Sequence, residues 1–186
     1  MNDNEFIKSY LNCYQKSLIE TDVSAKIIAM KKLLVKTKEN GKKVLAFGNG
    51  GSAAMVSHVS VDYTKQAGIR TVNFNEADLI TCFSNDYGYD KWVEKAIEFY
   101  GDKEDTVILV SSSGSSMNMI YGARKARDKG LSIITLTGFD SDNPLRKIGE
   151  LNFWVDSRAY NVIENTHQIW LLIVCDLIIG KIEYPA

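Results

Sequence analysis

The sequence predicts an α/β fold: a parallel five-stranded sheet flanked by helices on both faces, preceded by an N-terminal helical extension. Three observations predict it. Residues 4 to 40 carry apolar residues at helical spacing without a proline, short apolar runs alternate with helical stretches beyond residue 42, and two of those runs end in glycine- and serine-rich turns that open helices. Phe6, Tyr10, Leu11 and Tyr14, then Ile27, Ile28, Met30, Leu33 and Leu34, predict two helices broken near Thr21-Asp22. Strands are expected at 43–47, 70–74, 106–110, 131–136 and 151–155, and helices near 52–66, 77–84, 89–100, 116–129, 143–149 and 160–180. Runs such as Lys43-Val44-Leu45-Ala46-Phe47 suit strands buried on both faces of a parallel sheet. At 186 residues the chain reads as one domain, with the helical extension at 1–40 and the α/β core and C-terminal helix at 41–186.

The two turns suggest the ligand. Gly48-Asn49-Gly50-Gly51-Ser52 and Ser111-Ser112-Ser113-Gly114-Ser115-Ser116 each lie between an apolar strand and a helix. Glycine lets the backbone turn and approach a ligand, helix starts offer unpaired N–H groups to an anion, and serine hydroxyls add neutral donors. Neither turn carries the lysine of a nucleotide P-loop or matches the dinucleotide fingerprint, so a sugar phosphate fits better than ATP or NAD. Ligands of parallel sheets bind at the carboxyl ends of strands, where Thr135-Leu136-Thr137-Gly138 is a third, weaker candidate turn. Ser157 to Tyr160 read mainly as a turn that could also line the site.

Composition narrows the function classes. With 22 basic against 23 acidic residues, there is no electrostatic footprint for nucleic acid. Cys13, Cys82 and Cys175 show neither disulfide nor metal spacing and read as reduced residues of a cytoplasmic protein. The first residues do not resemble a signal peptide. The apolar run Ile169 to Ile179, interrupted by Asp176, reads as too short for a bilayer, hence as a buried helix or a contact between subunits.

Two helices carry residues able to do chemistry. His58 and Asp62 are four apart after Ser52, and Glu164 and His167 are three apart on the last helix. Should the helices converge, these groups could bind a divalent ion such as zinc or move a proton beside a carbonyl. Each pair could equally be an ordinary structural contact.

These motifs, together with Ser84-Asn85-Asp86-Tyr87-Gly88-Tyr89, resemble the sugar isomerase (SIS) domain family, specifically its phosphoheptose isomerase branch, over about residues 25 to 180. The resemblance implies a flavodoxin-like three-layer sandwich, a homotetramer with sites between subunits, and conversion of sedoheptulose 7-phosphate to a heptose 7-phosphate for surface-polysaccharide precursors. It implies a substrate site of Asn49, Gly50, Gly51, Ser52, Asp86, Ser111, Ser112, Ser113 and Ser116. Asp62, Glu164 and His167 would be catalytic, and His58, Asp62 and Glu164 would hold zinc. The chain departs from the family pattern at Asp62 in place of Glu, Glu164 in place of Gln, Gln66 in place of Arg, and Leu172 in place of a second His that acts in proton transfer and metal binding. An isomerase with a rebuilt site and an inactive phosphosugar- or protein-binding regulator both accommodate these changes.

Overall fold

The computed structural model describes residues 1–184. Its five strands, β1 (Val44–Gly48), β2 (Thr71–Asn73), β3 (Thr106–Ser111), β4 (Ser132–Thr137) and β5 (Leu151–Trp154), form one parallel sheet in the order β2-β1-β3-β4-β5. Each expected strand is present within a residue or two of its predicted bounds.

Alternation along β1 sorts the two cores. Val44 and Ala46 face one side, where they meet α2 (Ser24–Glu39), α3 (Gly51–Lys65) and α8 (Tyr160–Ile179) through Met30, Leu34, Val59, Tyr63 and Trp170. Leu45 and Phe47 face the other, under α5 (Trp92–Tyr100) and α6 (Met117–Asp128), with Trp92, Ile97, Met119 and Ala123. The strand run is apolar throughout because both faces are covered.

At the start of the sheet, the buried Asp105 carboxylate ties two strands together. It accepts from the Lys43 backbone N–H at 3.0 Å, from the Asp102 N–H at 2.8 Å and from Lys43 Nζ at 2.6 Å. Lys43 Nζ also reaches Asp102, and these two carboxylates raise its pKa against the opposing effect of burial.

The extension folds as α1 (Asp3–Tyr14), a π-helical turn at Gln15–Glu20, and α2 after a break at residues 21–23. Asn2 and Glu5 form a capping box at the start of α1. Helix α1 buries none of its residues and leaves Phe6, Ile7 and Leu11 exposed, while the Tyr14 hydroxyl donates to the Asn161 carbonyl of α8. The remaining helices are α4 (Ala77–Tyr87), a 3-10 turn at Tyr89–Lys91 that replaces the predicted start of α5, and α7 (Pro144–Ile148).

Helix α8 extends beyond its apolar run, and at 20 residues it is long and apolar enough to cross a membrane by length and composition alone, which corrects the expected shortness but not the expected buried helix. Its Val162, Ile163, Trp170, Leu171 and Val174 are instead buried in the first core, the packing expected of a core helix. Ile169, Ile173 and Leu177, four residues apart, form an exposed row on its outer side.

Asp105→Ala should cost about 3 kcal/mol of stability, because it strands the buried donors of residues 43 and 102. Urea unfolding measures it, with an unchanged m-value expected.

Candidate functional site

Strands β1 and β3 are neighbours, and their carboxyl ends deliver the two predicted turns side by side. Gly48 ends β1 where a side chain would strike the backbone of Ser52 and Ala53, and Gly50 takes φ +54° to start α3. Neither α3 nor α6 has a side-chain hydrogen bond from its N-cap residue, and among the described residues no acceptor meets the backbone N–H of Gly51, Met117 or Asn118, whereas the Ser52 and Ala53 N–H groups bond to the Asn49 carbonyl and the Met119 N–H to the Ser116 carbonyl. Between them lies a cavity of about 120 Å³, lined by Asn49, Ser52, Val110, Ser111, Ser112, Ser113, Ser116, Tyr160 and Glu164.

The cavity wall is rich in hydroxyls. Ser111 donates to Ser116 at 3.2 Å, and Ser113 accepts from the Ser115 N–H. The buried Ser112 hydroxyl has no protein partner. Such an orphan in a cavity wall suits a ligand oxygen. Gly50 and Gly51 form the α3 start at the cavity's edge, and a methyl on Gly51 would overlap the Glu164 carboxylate.

Glu164 is the one charged residue lining this cavity. Burial raises its carboxyl pKa, and the neighbouring Ser52 side chain offsets part of that rise.

The third turn props the site and does not line it. Gly138 N–H donates to the Ser112 carbonyl at 2.9 Å, and Leu145 N–H donates to the Gly114 carbonyl at 3.0 Å. The Asn143 amide reaches Thr137 Oγ1 and the Asp140 carbonyl while capping α7 through Arg146 N–H. Gly114, at φ +64°, packs so closely on Asn143 that no side chain would fit.

The predicted chemistry-bearing residues separate into three places. Helices α3 and α8 run side by side in the same direction, with Gly51 at Glu164, His58 at Gln168 and the Tyr63 hydroxyl at the Leu171 carbonyl. Glu164 therefore belongs to the cavity. Asp62 lies ten residues beyond Ser52, about 15 Å along α3, where its Oδ2 is 3.2 Å from His58 Nε2. His58 Nδ1 meets Gln168 Nε2 at 2.9 Å, so both ring nitrogens are engaged.

His167 corrects its predicted catalytic place: it is fully buried, with Nε2 donating to the Thr137 carbonyl at 3.0 Å and the ring beside Trp170. Burial holds its pKa down at about 4, so the ring is neutral and acts as a strut between α8 and β4.

The predicted zinc set is likewise not assembled within one chain. Among the described residues no three His, Cys, Asp or Glu side chains come close enough to hold a metal, and Glu164 stands apart from the His58–Asp62 pair. Asp86 also lies outside the cavity, bonded to Asn85. Tyr89, from the same segment, reaches Asn49 at 3.1 Å instead. Leu172 packs against the first core.

Two site residues had little sequence signal. Asn118 pairs with Asn49, and its only mark is an asparagine in the first turn of a helix, where its propensity is poor. Gln168 is marked only by its place on a face of the last helix neighbouring Glu164 and His167.

Comparison with known proteins identifies the family and finds the same fold. A family model described as SIS domain matches residues 6–138. A phosphoheptose isomerase of Helicobacter pylori is 32% identical over 152 residues, covering 78% of this chain and 79% of that protein. One from Geobacter metallireducens is 31% identical over 183 residues, covering 94% and 96%. The solved structure of a phosphoheptose isomerase from Francisella tularensis superposes with a TM-score of 0.89 at 26% identity, covering 97% of this chain and all of that one.

The buried His167 sets an acid limit on stability. Its folded pKa lies below the unfolded value, so the unfolded chain binds the proton first as pH falls. Stability should drop by roughly 3 kcal/mol from pH 6.5 to pH 4 on this account. His167→Gln, which can still donate to Thr137, should remove most of that slope in urea unfolding series run across this range.

Proposed function

Because the chain belongs to the SIS domain family, we propose that it is a phosphosugar isomerase, interconverting sedoheptulose 7-phosphate and a heptose 7-phosphate or a closely related ketose–aldose pair. The observation that carries this reading is the Glu164 carboxylate set in the serine-lined cavity, beside Ser52 and the start of α3. The isomerase relatives favour an enzyme over the alternative of an inactive regulator.

The hydroxyls of Ser52, Ser111, Ser112, Ser113 and Ser116 and the two helix starts hold the phosphate without a cation. Glu164 then removes a proton from the carbon next to the carbonyl of the open-chain sugar. The C–H electron pair becomes the enediol double bond, and the carbonyl pair moves onto oxygen. Return of the proton to the neighbouring carbon, with transfer of the hydroxyl proton between the two oxygens, completes the exchange.

A cavity of about 120 Å³ seats a phosphate end but falls short of the roughly 300 Å³ or more of a typical small-molecule site. The rest of the site is proposed to come from neighbouring subunits of a cytoplasmic homotetramer supplying surface-polysaccharide precursors. Exposed rows at Phe6, Ile7 and Leu11 on α1 and Ile169, Ile173 and Leu177 on α8 support such assembly. In that arrangement His58 and Asp62 of one subunit would approach Glu164 of another, and Asp86 would close on the sugar. Among the described residues of one chain no three His, Cys, Asp or Glu side chains gather, and a zinc ion shared between subunits is the form of metal site this reading proposes. The proton transfer above needs none.

The test is turnover of sedoheptulose 7-phosphate and a panel of phosphosugars. Glu164→Gln should lower kcat by about 10² to 10⁴. In the wild type kcat/KM should fall with acidity through the raised Glu164 pKa, placing the acid limb above that of an ordinary glutamate. No turnover across the panel, or full activity of the variant, would sink the reading.

Subunit mixing tests the shared site. Asp62→Asn and Glu164→Gln should each be inactive alone and regain part of the wild-type rate when unfolded and refolded together. No recovery in confirmed mixed oligomers would place both groups in separate, self-contained sites.

A further inference from the structure

Asn49 and Asn118 face each other across the two helix starts, and their carboxamides pair in both directions. Asn49 Nδ2 donates to Asn118 Oδ1 at 3.2 Å, and Asn118 Nδ2 donates to Asn49 Oδ1 at 2.9 Å. A pair of this kind, left to itself, keeps both bonds if the two amides are turned over together. Here the main chain decides between the orientations. The Met119 backbone N–H, which can only donate, is shared between the Ser116 carbonyl at 3.1 Å and Asn118 Oδ1 at 3.0 Å, and a reversed Asn118 amide would set its nitrogen against that N–H, donor to donor. That contact fixes the oxygen of Asn118, and the pairing then fixes the oxygen of Asn49. The Tyr89 hydroxyl adds a second donor to Asn49 Oδ1 at 3.1 Å.

The consequence falls on the ligand. Asn118 is 2% exposed and lies behind the cavity, whereas Asn49 lines it. The Asn49 oxygen already accepts two hydrogen bonds, and one of its two amide hydrogens is used by Asn118. What remains to meet a ligand is one N–H.

We infer that Asn118 is a positioning residue that locks Asn49 as a hydrogen-bond donor toward a substrate oxygen that gains negative charge. Resting on the isomerase reading, this oxygen is the carbonyl oxygen that becomes the enediolate. A donor held in place before the reaction stabilises that charge without reorganising at the moment of transfer. A reversed amide would instead aim a carbonyl dipole at it, in a cavity whose only charged lining residue is itself an anion.

Asn118→Asp separates positioning from folding. The aspartate keeps an oxygen for the Met119 N–H and adds a favourable charge at the start of α6, yet it cannot donate to Asn49. Asn118→Leu removes both bonds without adding charge. With positioning, both variants lose roughly 10- to 100-fold in kcat while KM stays within about twofold, and the aspartate variant melts no lower than the wild type. Isothermal titration with inorganic phosphate monitors the added charge. A phosphate Kd in the aspartate variant that weakens as much as kcat falls would overturn the inference, and so would an unchanged kcat in either folded variant. If the leucine variant does not fold, the aspartate variant decides. If the wild type turns over no phosphosugar, the isomerase reading fails by itself. The lock is then judged by ¹⁵N NMR: one Asn49 side-chain N–H should exchange slowly in the wild type and rapidly in Asn118→Asp, and equal exchange in the two would overturn it.

Discussion

Everything at the site depends on one topological constraint, the reversal of winding between β1 and β3. In the order β2-β1-β3-β4-β5 these strands are neighbours, but the helix after β1 packs on one face of the sheet and the helix after β3 packs on the other. Their starts consequently flank a crevice at the strand ends, with Tyr89 of the β2–β3 connection at Asn49. Two positive helix ends meet there, and the sequence supplies glycine and serine at the same points. On the proposed reading, the cavity needs no lysine or arginine because its attraction for phosphate comes from oriented N–H groups and hydroxyls.

The pairing of α3 with α8 then decides where the carboxylates go. Because the helices run in the same direction, Glu164 comes to rest at the start of α3, and Gln168, one turn further along α8, meets His58 about two turns into α3. Asp62 follows further along the same seam. A chain folded this way holds its phosphate ligands and one carboxylate at one end of the α3–α8 pair and its histidine–aspartate pair further along. Oligomerisation is the proposed means of bringing the two kinds of group together, and the outward-facing Ile169, Ile173 and Leu177 supply apolar surface for it.

Most of the fold was legible because the central strands β1, β3 and β4 are largely apolar on both faces and run into turns rich in glycine, serine or threonine, signals that do not depend on distant residues. The phosphate turns were legible for the same local reason. The last helix was harder. Glu164 and His167 are three residues apart, only about 60° around a helix, so spacing alone reads them as one functional face. The boundary between cavity and core passes between them. Glu164 emerges beside Ser52, whereas His167 is enclosed under β4. Periodicity shows which residues share a face but not where a neighbouring strand covers it. Asn118 was illegible for a similar reason, since its partner lies 69 residues away on another turn.

The paired departures at 164 and 172 take a different meaning in three dimensions. Eight residues separate them, about 12 Å along α8 and roughly 80° around it, so the carboxylate gained does not stand where the imidazole was lost. Leu172 lies against the core and adds packing, while Glu164 adds charge at the phosphate end of the site. On the proposed reading, the acid–base group is thus moved toward the serines and is not exchanged in place. A base at that position measures the substrate from its phosphate: the reacting carbon must lie as far from the serine hydroxyls as the Glu164 carboxylate can reach. Substrate length is then set by the contact between α8 and the start of α3, the same contact that the Gly51 backbone leaves open for Glu164.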